Sequence, residues 1–180
     1  MLYASDIRDI DELQRVEAAA AHRFLALPEL AFLATAGVTD RQTHAAAIEN
    51  NLAWKVAGSD GRIKGFCYCE RHEDELYLAE ISTHPDFQRQ GVGAMLLAEV
   101  KRTGQVLGVS QITLTTYRDV SWNGPWYGRH GFDIINEAEL TPALVSRLVH
   151  QFDEGLMVLP RCAMRYLLGK GKPAVVKPFL

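Results

Sequence analysis

Residues 81–94 read Ile-Ser-Thr-His-Pro-Asp-Phe-Gln-Arg-Gln-Gly-Val-Gly-Ala, and no other stretch constrains the fold as tightly. Glu75 to Thr83 reads as a strand. After the loop, Val92, Met95, Leu96 and Val100 describe one helical face that ends near Gly104 to Gly108. A strand thus passes through a polar loop and two glycines into an amphipathic helix. The first N–H groups of a helix have no intrahelical partner and carry partial positive charge. Glycines at that entry let a phosphate approach those amides. Gly-x-Gly alone is a weak signal, but spacing eliminates two nucleotide motifs. A P-loop requires Gly-Lys-Ser/Thr, whereas Ala94-Met95 follow Gly93; a dinucleotide fingerprint places a third glycine where Leu96 stands.

The rest of the chain supplies the frame. Leu2 to Ala4 forms a short strand, and Asp6 caps a helix to about Phe24, with Ile10, Leu13, Glu17, Ala20 and Phe24 at three-four spacing. Glu17 therefore falls on an apolar stripe. Helical character continues within residues 28–51, interrupted near Gly37 to Asp40. Leu52 to Ala57 and Arg62 to Arg71 make a hairpin about Gly58-Ser59-Asp60-Gly61, and His72-Glu73-Asp74 turns into the strand ending at Thr83. Gln111 to Thr116 is a β-branched strand. A short helix over Ser121 to His130 stops at Gly131 before a strand over Phe132 to Ile135. Thr141-Pro142 opens a helix to about Phe152, and Arg161 to Leu168 is the last strand. The order predicts an α/β fold, a mixed, largely antiparallel sheet flanked by helices, in one domain over residues 1–168 with a tail over 169–180.

Bulk properties narrow the partners. Nineteen Lys and Arg against 22 Asp and Glu give a net charge of -3, which offers no whole-molecule attraction for nucleic acid or an anionic membrane. Any anionic ligand must be held locally. No apolar run approaches the ~20 residues of a membrane span, and Met1 to Asp11 has no signal-peptide core, so a cytoplasmic location is expected. Of the three cysteines, Cys67 and Cys69 are spaced C-x-C without a His/Cys cluster, so no metal is expected; the reading assigns their sulfurs to opposite faces of a strand over 66–70.

Gln88-Arg-Gln-Gly-Val-Gly-Ala94 after a strand resembles the Gcn5-related N-acetyltransferase (GNAT) family, whose pattern Gln/Arg-x-x-Gly-x-Gly/Ala matches at Gln88, Gly91 and Gly93. Asp119-Val-Ser-Trp-Asn-Gly-Pro-Trp-Tyr-Gly-Arg-His-Gly-Phe132 resembles its second signature, a helix that carries a Tyr and ends in Gly-Phe. The likeness covers residues 2–135 in element order and is specific over 76–135. Many members carry an Asn where this chain has Val120, and Asn123 stands one turn before Tyr127 instead.

The resemblance implies acetyl-coenzyme A as cosubstrate and transfer of its acetyl group to a primary amine by direct attack. It assigns the pyrophosphate to Gln88, Arg89, Gln90, Gly91, Val92, Gly93 and Ala94. It assigns the pantetheine arm to Ile81, Ser82 and Thr83, whose strand separates there from its neighbour, and a further coenzyme contact to Asn123. Tyr127 is the candidate general acid for the thiolate and Glu80 the candidate base. Glu80 is taken to share its strand face with Leu76 and Leu78, where apolar surroundings would raise its pKa. Glu17 competes for the base role, and His84 and His44 are weaker candidates, since a lone histidine in a loop is usually solvated. A cysteine acyl-enzyme lacks its Cys-His-Asn/Asp set. The expected acceptor is a small-molecule amine; the alternatives are a protein N-terminus or lysine, or a non-catalytic acyl-coenzyme A-binding module. An open acidic groove would fit a protein, a closed aromatic pocket a small amine or amino acid. A homodimer is compatible with the family.

Overall fold

The computed structural model describes residues 1–169; the tail expected over 169–180 falls, apart from Gly169, outside them. Within these residues seven strands form one open sheet: β1 (Leu2–Ala4), β2 (Ala53–Ala57), β3 (Ile63–His72), β4 (Glu75–Thr83), β5 (Gln111–Tyr117), β6 (Asp133–Ile134) and β7 (Arg161–Leu167). Their spatial order is β1-β2-β3-β4-β5-β7-β6, and every neighbouring pair is antiparallel except β4–β5. Among the described residues five α-helices flank the sheet: α1 (Ile10–Ala21), α2 (Arg41–Glu49), α3 (Val92–Leu107), α4 (Gly124–Arg129) and α5 (Pro142–Asp153). The fold is the mixed α/β sheet that the sequence predicts. Among the described residues no helix is long and apolar enough to cross a membrane.

The two faces bury different helices. α3 lays Val92, Leu96, Leu97 and Val100 against Cys67, Cys69, Leu76, Leu78, Ile112 and Leu114. Met95, expected on this stripe, is instead 44% exposed, and Leu97 takes the inward place. Both cysteines face α3, since residues two apart in a strand share a face; the assignment of their sulfurs to opposite faces is corrected. On the other face α1 and α2 pack Leu13, Val16 and Ala47 on Phe66 and Tyr68, and α5 seats Leu144 against Tyr77 and Ala163.

Local chemistry sets the element ends. Asp6 caps a 3-10 turn at Ile7–Asp9 that leads into α1, which gives way to a second 3-10 turn at His22–Ala26. The ambiguous segment after it is a 3-10 run, Pro28–Thr35, followed by α2, whose Asp40 cap accepts from the Thr43 N–H at 2.9 Å. Thr141 caps α5 with Pro142 at its first position.

One irregularity carries functional weight. Tyr68 pairs with Glu80 but Cys69 pairs with Leu78, leaving Ala79 as an extra residue on β4. Such a bulge reverses the face on which later side chains stand. Leu76 and Leu78 point toward α3, whereas Glu80, opposite Tyr68, points toward α1 and α2. The expectation that Glu80 shares the face of Leu76 and Leu78 is therefore corrected.

Candidate active site

The central cleft follows from the one parallel pair. β4 and β5 pair only at Glu75↔Gln111, Leu76↔Ile112 and Tyr77↔Thr113, after which β4 runs on to Thr83 and β5 to Tyr117 unpaired with each other. Between the diverging ends lies a cavity of about 770 Å³. Ile81, Ser82 and Thr83 line one arm of the gap, and Thr115, Thr116 and Tyr117 the other.

At the head of β4, a 3-10 turn at Pro85–Phe87 leads to Gly91, whose φ of 81° lies in the left-handed region that favours glycine. Gly91 supplies no capping side chain, and a Cβ built there would meet nothing within 4 Å. The first-turn amides of α3 thus open on the cavity, which Gln88, Arg89, Gly91, Val92, Gly93 and Ala94 all line. Gln90 does not line it; its Nε2 donates to the Asp86 carbonyl at 2.9 Å. Arg89 adopts a φ of 60° and has no ion-pair partner among the described residues. Arg23, 4.3 Å over the Trp122 ring, lines the same cavity. Its guanidinium is pushed down from the usual arginine pKa by burial and by repulsion from Arg89. An electrostatic demand for an anion is built into that corner, and the open glycine turn fits a pyrophosphate.

Two proton-bearing groups meet at the gap from opposite faces. Tyr127 enters from the α3 side, packed edge-on against Trp126 and Phe132 with ring centres 5.0 and 5.7 Å away. Burial, then the charge of Glu80, raises its pKa, so the phenol stays protonated and able to donate. Glu80 enters from the α1 side and accepts from Ser82 Oγ at 2.7 Å. Burial, then the charge of Glu17, lifts it from 4.5 to about 7, outweighing the opposing bonds from Ser82 and the Ile81 amide. Glu17, also at the cavity, is fixed by the Thr39 N–H and Oγ1 at 3.0 and 3.1 Å. Behind it His44 sits fully buried in α2, its Nε2 3.8 Å from Glu17 Oε2. His84 caps its own turn, Nδ1 accepting from the Asp86 N–H at 3.3 Å.

Asn123 precedes α4. Its carbonyl accepts from the Trp126 and Tyr127 amides at 2.9 and 3.0 Å, while its Oδ1 is buried without a partner. The chain turns so sharply here that a Cβ at Gly124 would lie 2.2 Å from the Arg118 carbonyl oxygen, so only glycine fits. Among the described residues no group of three or more His, Cys, Asp or Glu is placed to hold a metal. Arg23 and Arg161 are two of the cavity residues that sequence reading missed; each is far in the chain from the glycine turn, and no local pattern marks either.

Residues 49–134 match the family model described as acetyltransferase (GNAT) domain. The whole fold is similar to PaiA N-acetyltransferase from Thermoplasma acidophilum, solved in complex with coenzyme A (TM-score 0.68, 14% identity, 93% of this chain and 98% of that one). It is equally similar to the ribosomal-protein-S18-alanine N-acetyltransferase of Escherichia coli (TM-score 0.68, 16% identity, 98% and 99%). A third likeness is to N-acetylglutamate synthase from Neisseria gonorrhoeae, complexed with coenzyme A and N-acetyl-glutamate (TM-score 0.65, 17% identity, 93% of this chain and 35% of that one). The matched stretch holds both the glycine turn and Tyr127, and it is similar to an acetyltransferase (GNAT) domain.

Proposed function

We propose that this protein transfers an acetyl group from acetyl-coenzyme A to the primary amine of a small molecule. The observation that carries the reading is the convergence of the glycine turn, Glu80 and Tyr127 on one cavity in the gap between β4 and β5. The α3 amides, with Arg89 and Arg23, would hold the pyrophosphate. The unpaired backbone of Ile81 to Thr83 would receive the pantetheine arm, and Asn123 would offer its free Oδ1. Acetyl-coenzyme A supplies an activated acyl group as a thioester.

This chain's residues then have to manage two protons. A lysine-like amine has a pKa near 10.4, so about one part in several thousand is nucleophilic at pH 7, a cost of roughly 4.6 kcal/mol. Glu80, with a pKa of about 7, is suited to take that proton. The Tyr127 hydroxyl is suited to give one to the departing thiolate. Tyr127 would serve both as a packing residue and as the acid.

A small acceptor is favoured by the walls. Phe24, Leu33, Tyr117 and Trp122 give the cavity aromatic and apolar walls, and among the described lining residues the carboxylates are Glu17 and Glu80. The neighbour that acetylates a ribosomal protein and the one complexed with N-acetyl-glutamate show that this fold serves both acceptor classes. An amine-panel assay following free thiol release from acetyl-coenzyme A tests the reading. Turnover with small amines is expected. Turnover only with peptide N-termini or lysines would replace the acceptor class, and tight coenzyme binding with no turnover would make the protein a binding module.

A further inference from the structure

A second constellation lies across the gap from Glu80. Tyr117 on β5 pairs directly with Arg161 on β7, so the two share a face. It is the face opposite α3, where Thr115 stands and where the Ala79 bulge places Glu80. The two arms of the cleft therefore present a carboxylate on one side and a guanidinium on the other, both lining the same cavity.

Arg161 is held at several points. Its Nε donates to Gln151 Oε1 at 3.0 Å, and Gln151 Nε2 donates to Thr115 Oγ1 at 2.8 Å. Thr115 Oγ1 is in turn 2.9 Å from the Tyr77 hydroxyl. The guanidinium carbon lies 4.4 Å from the centre of the Tyr117 ring. None of these partners carries a charge. Neighbouring arginines are neutralised, Arg147 by Glu70 and Arg165 by Glu139. Among the described residues Arg161 has no carboxylate partner; beyond Gln151, its side chain has only the Tyr117 hydroxyl as a polar neighbour. A partly buried cation fixed by neutral groups, with no counter-charge, is a preorganised receptor for a planar two-oxygen anion.

We propose that the acceptor carries a carboxylate as well as its amine, and that Arg161 binds this carboxylate while the amine is directed at Glu80. The substrate class is an amino acid or closely related amino carboxylate. Gln151 and Tyr117 act through Arg161, as positioning residues. The inference rests on the acetyl-transfer reading above and adds the acceptor's second functional group.

The test compares matched acceptors: the common amino acids, their carboxamides and their decarboxylated amines, with the intact protein and acetyl-coenzyme A. Wild type is expected to prefer the carboxylated member of a pair by roughly 10–100-fold in kcat/KM, the scale of hydrogen bonds to a charged group. Arg161→Gln should abolish that preference, chiefly through KM, while leaving the uncharged amines and the coenzyme Kd unchanged. Gln151→Leu, which keeps the charge but frees the fork, should raise KM for the carboxylated acceptors alone and serves if Arg161→Gln does not fold. Equal rates within every pair overturn the carboxylate assignment while leaving acetyl transfer intact. A coenzyme Kd raised by Arg161→Gln assigns the residue to the coenzyme and also overturns it. If wild type binds coenzyme and accepts no small amine, the reading of a small-molecule acceptor itself fails and this inference falls with it.

Discussion

A carboxylate that titrates near neutrality must leave its mark on both rate and stability, and Glu80 allows the two to be separated. As a base it works only when ionised, so kcat/KM should fall as pH drops through about 7. Glu80→Gln should lower turnover and erase that acidic limb, with higher pH partly compensating by deprotonating the amine in solution. Glu17→Gln removes one cause of the raised pKa, so the limb should persist but move to lower pH. Unchanged limbs in both variants would make ordered water the acceptor. The stability sign is opposite to that of an ion-paired carboxylate. Because the folded pKa is raised from 4.5 to about 7, stability is fully present below the unfolded value and is lost as pH rises through the folded one. Glu80→Gln should therefore melt close to wild type in acid and above it on the alkaline side, by on the order of 1–3 kcal/mol. Calorimetric melts on the two proteins across that range check it; a lower melting point for the variant at every pH would make Glu80 a structural hydrogen-bonding group. Tyr127→Phe retains the ring contacts with Trp126 and Phe132 and removes only the hydroxyl. It should keep its melting temperature and coenzyme Kd yet lose roughly 10²–10⁴-fold in turnover, and full activity in that variant would leave Tyr127 a packing residue.

At the scale of elements, the junction of β4 and α3 was the most legible part of the chain, since a change of period from two to 3.6 across two glycines has few structural solutions. Gly91 at φ 81° now gives its test two components. Gly91→Val places a β-branched residue where the backbone strains it, which costs about 1–2 kcal/mol, and also fills the space before the amides. Gly91→Asn tolerates the left-handed conformation, so it should melt nearer wild type. Both should weaken coenzyme binding at least tenfold by isothermal titration if the turn is the phosphate cradle. Native affinity in folded Gly91→Asn would refute it. Capping signals likewise gave α5 within a residue, because Thr141-Pro142 fixes its start locally. The face of Glu80 was not legible. Strand alternation predicts that Glu80 follows Leu78, and nothing in Leu-Ala-Glu announces that Ala79 will be extruded as a bulge. The pKa direction survived because both faces bury a carboxylate; the partner, Glu17 rather than an apolar wall alone, came only with the register. Met95 erred for a related reason, since spacing cannot tell which edge of an apolar stripe meets the sheet.

For the whole molecule, the sheet is two half-sheets, β1 to β4 and β5-β7-β6, joined by three parallel residue pairs and by α3, which packs on both. That architecture was readable as an element order, whereas the convergence of Arg23, Glu80 and Arg161 was not, because each lies on a different element and only the closed fold brings them to one cavity. It also predicts where a ligand acts. Beyond Tyr77↔Thr113 the inner edges of β4 and β5 lack each other as partners, so coenzyme bound between them would stand in for the missing ladder and tie the halves together. Saturation at 100 times Kd should stabilise the fold by about 2.7 kcal/mol, visible as a rise in melting temperature that grows with coenzyme concentration. Hydrogen exchange should slow chiefly at Ile81 to Thr83 and in the first turn of α3, with β1, β2 and α5 little affected. Protection confined to α3, with β4 exchanging at its free rate, would mean that the phosphates dock while the gap stays open. Uniform protection across the sheet would mean that ligand binding suppresses global unfolding alone, and the pantetheine assignment to Ile81, Ser82 and Thr83 would lose its support.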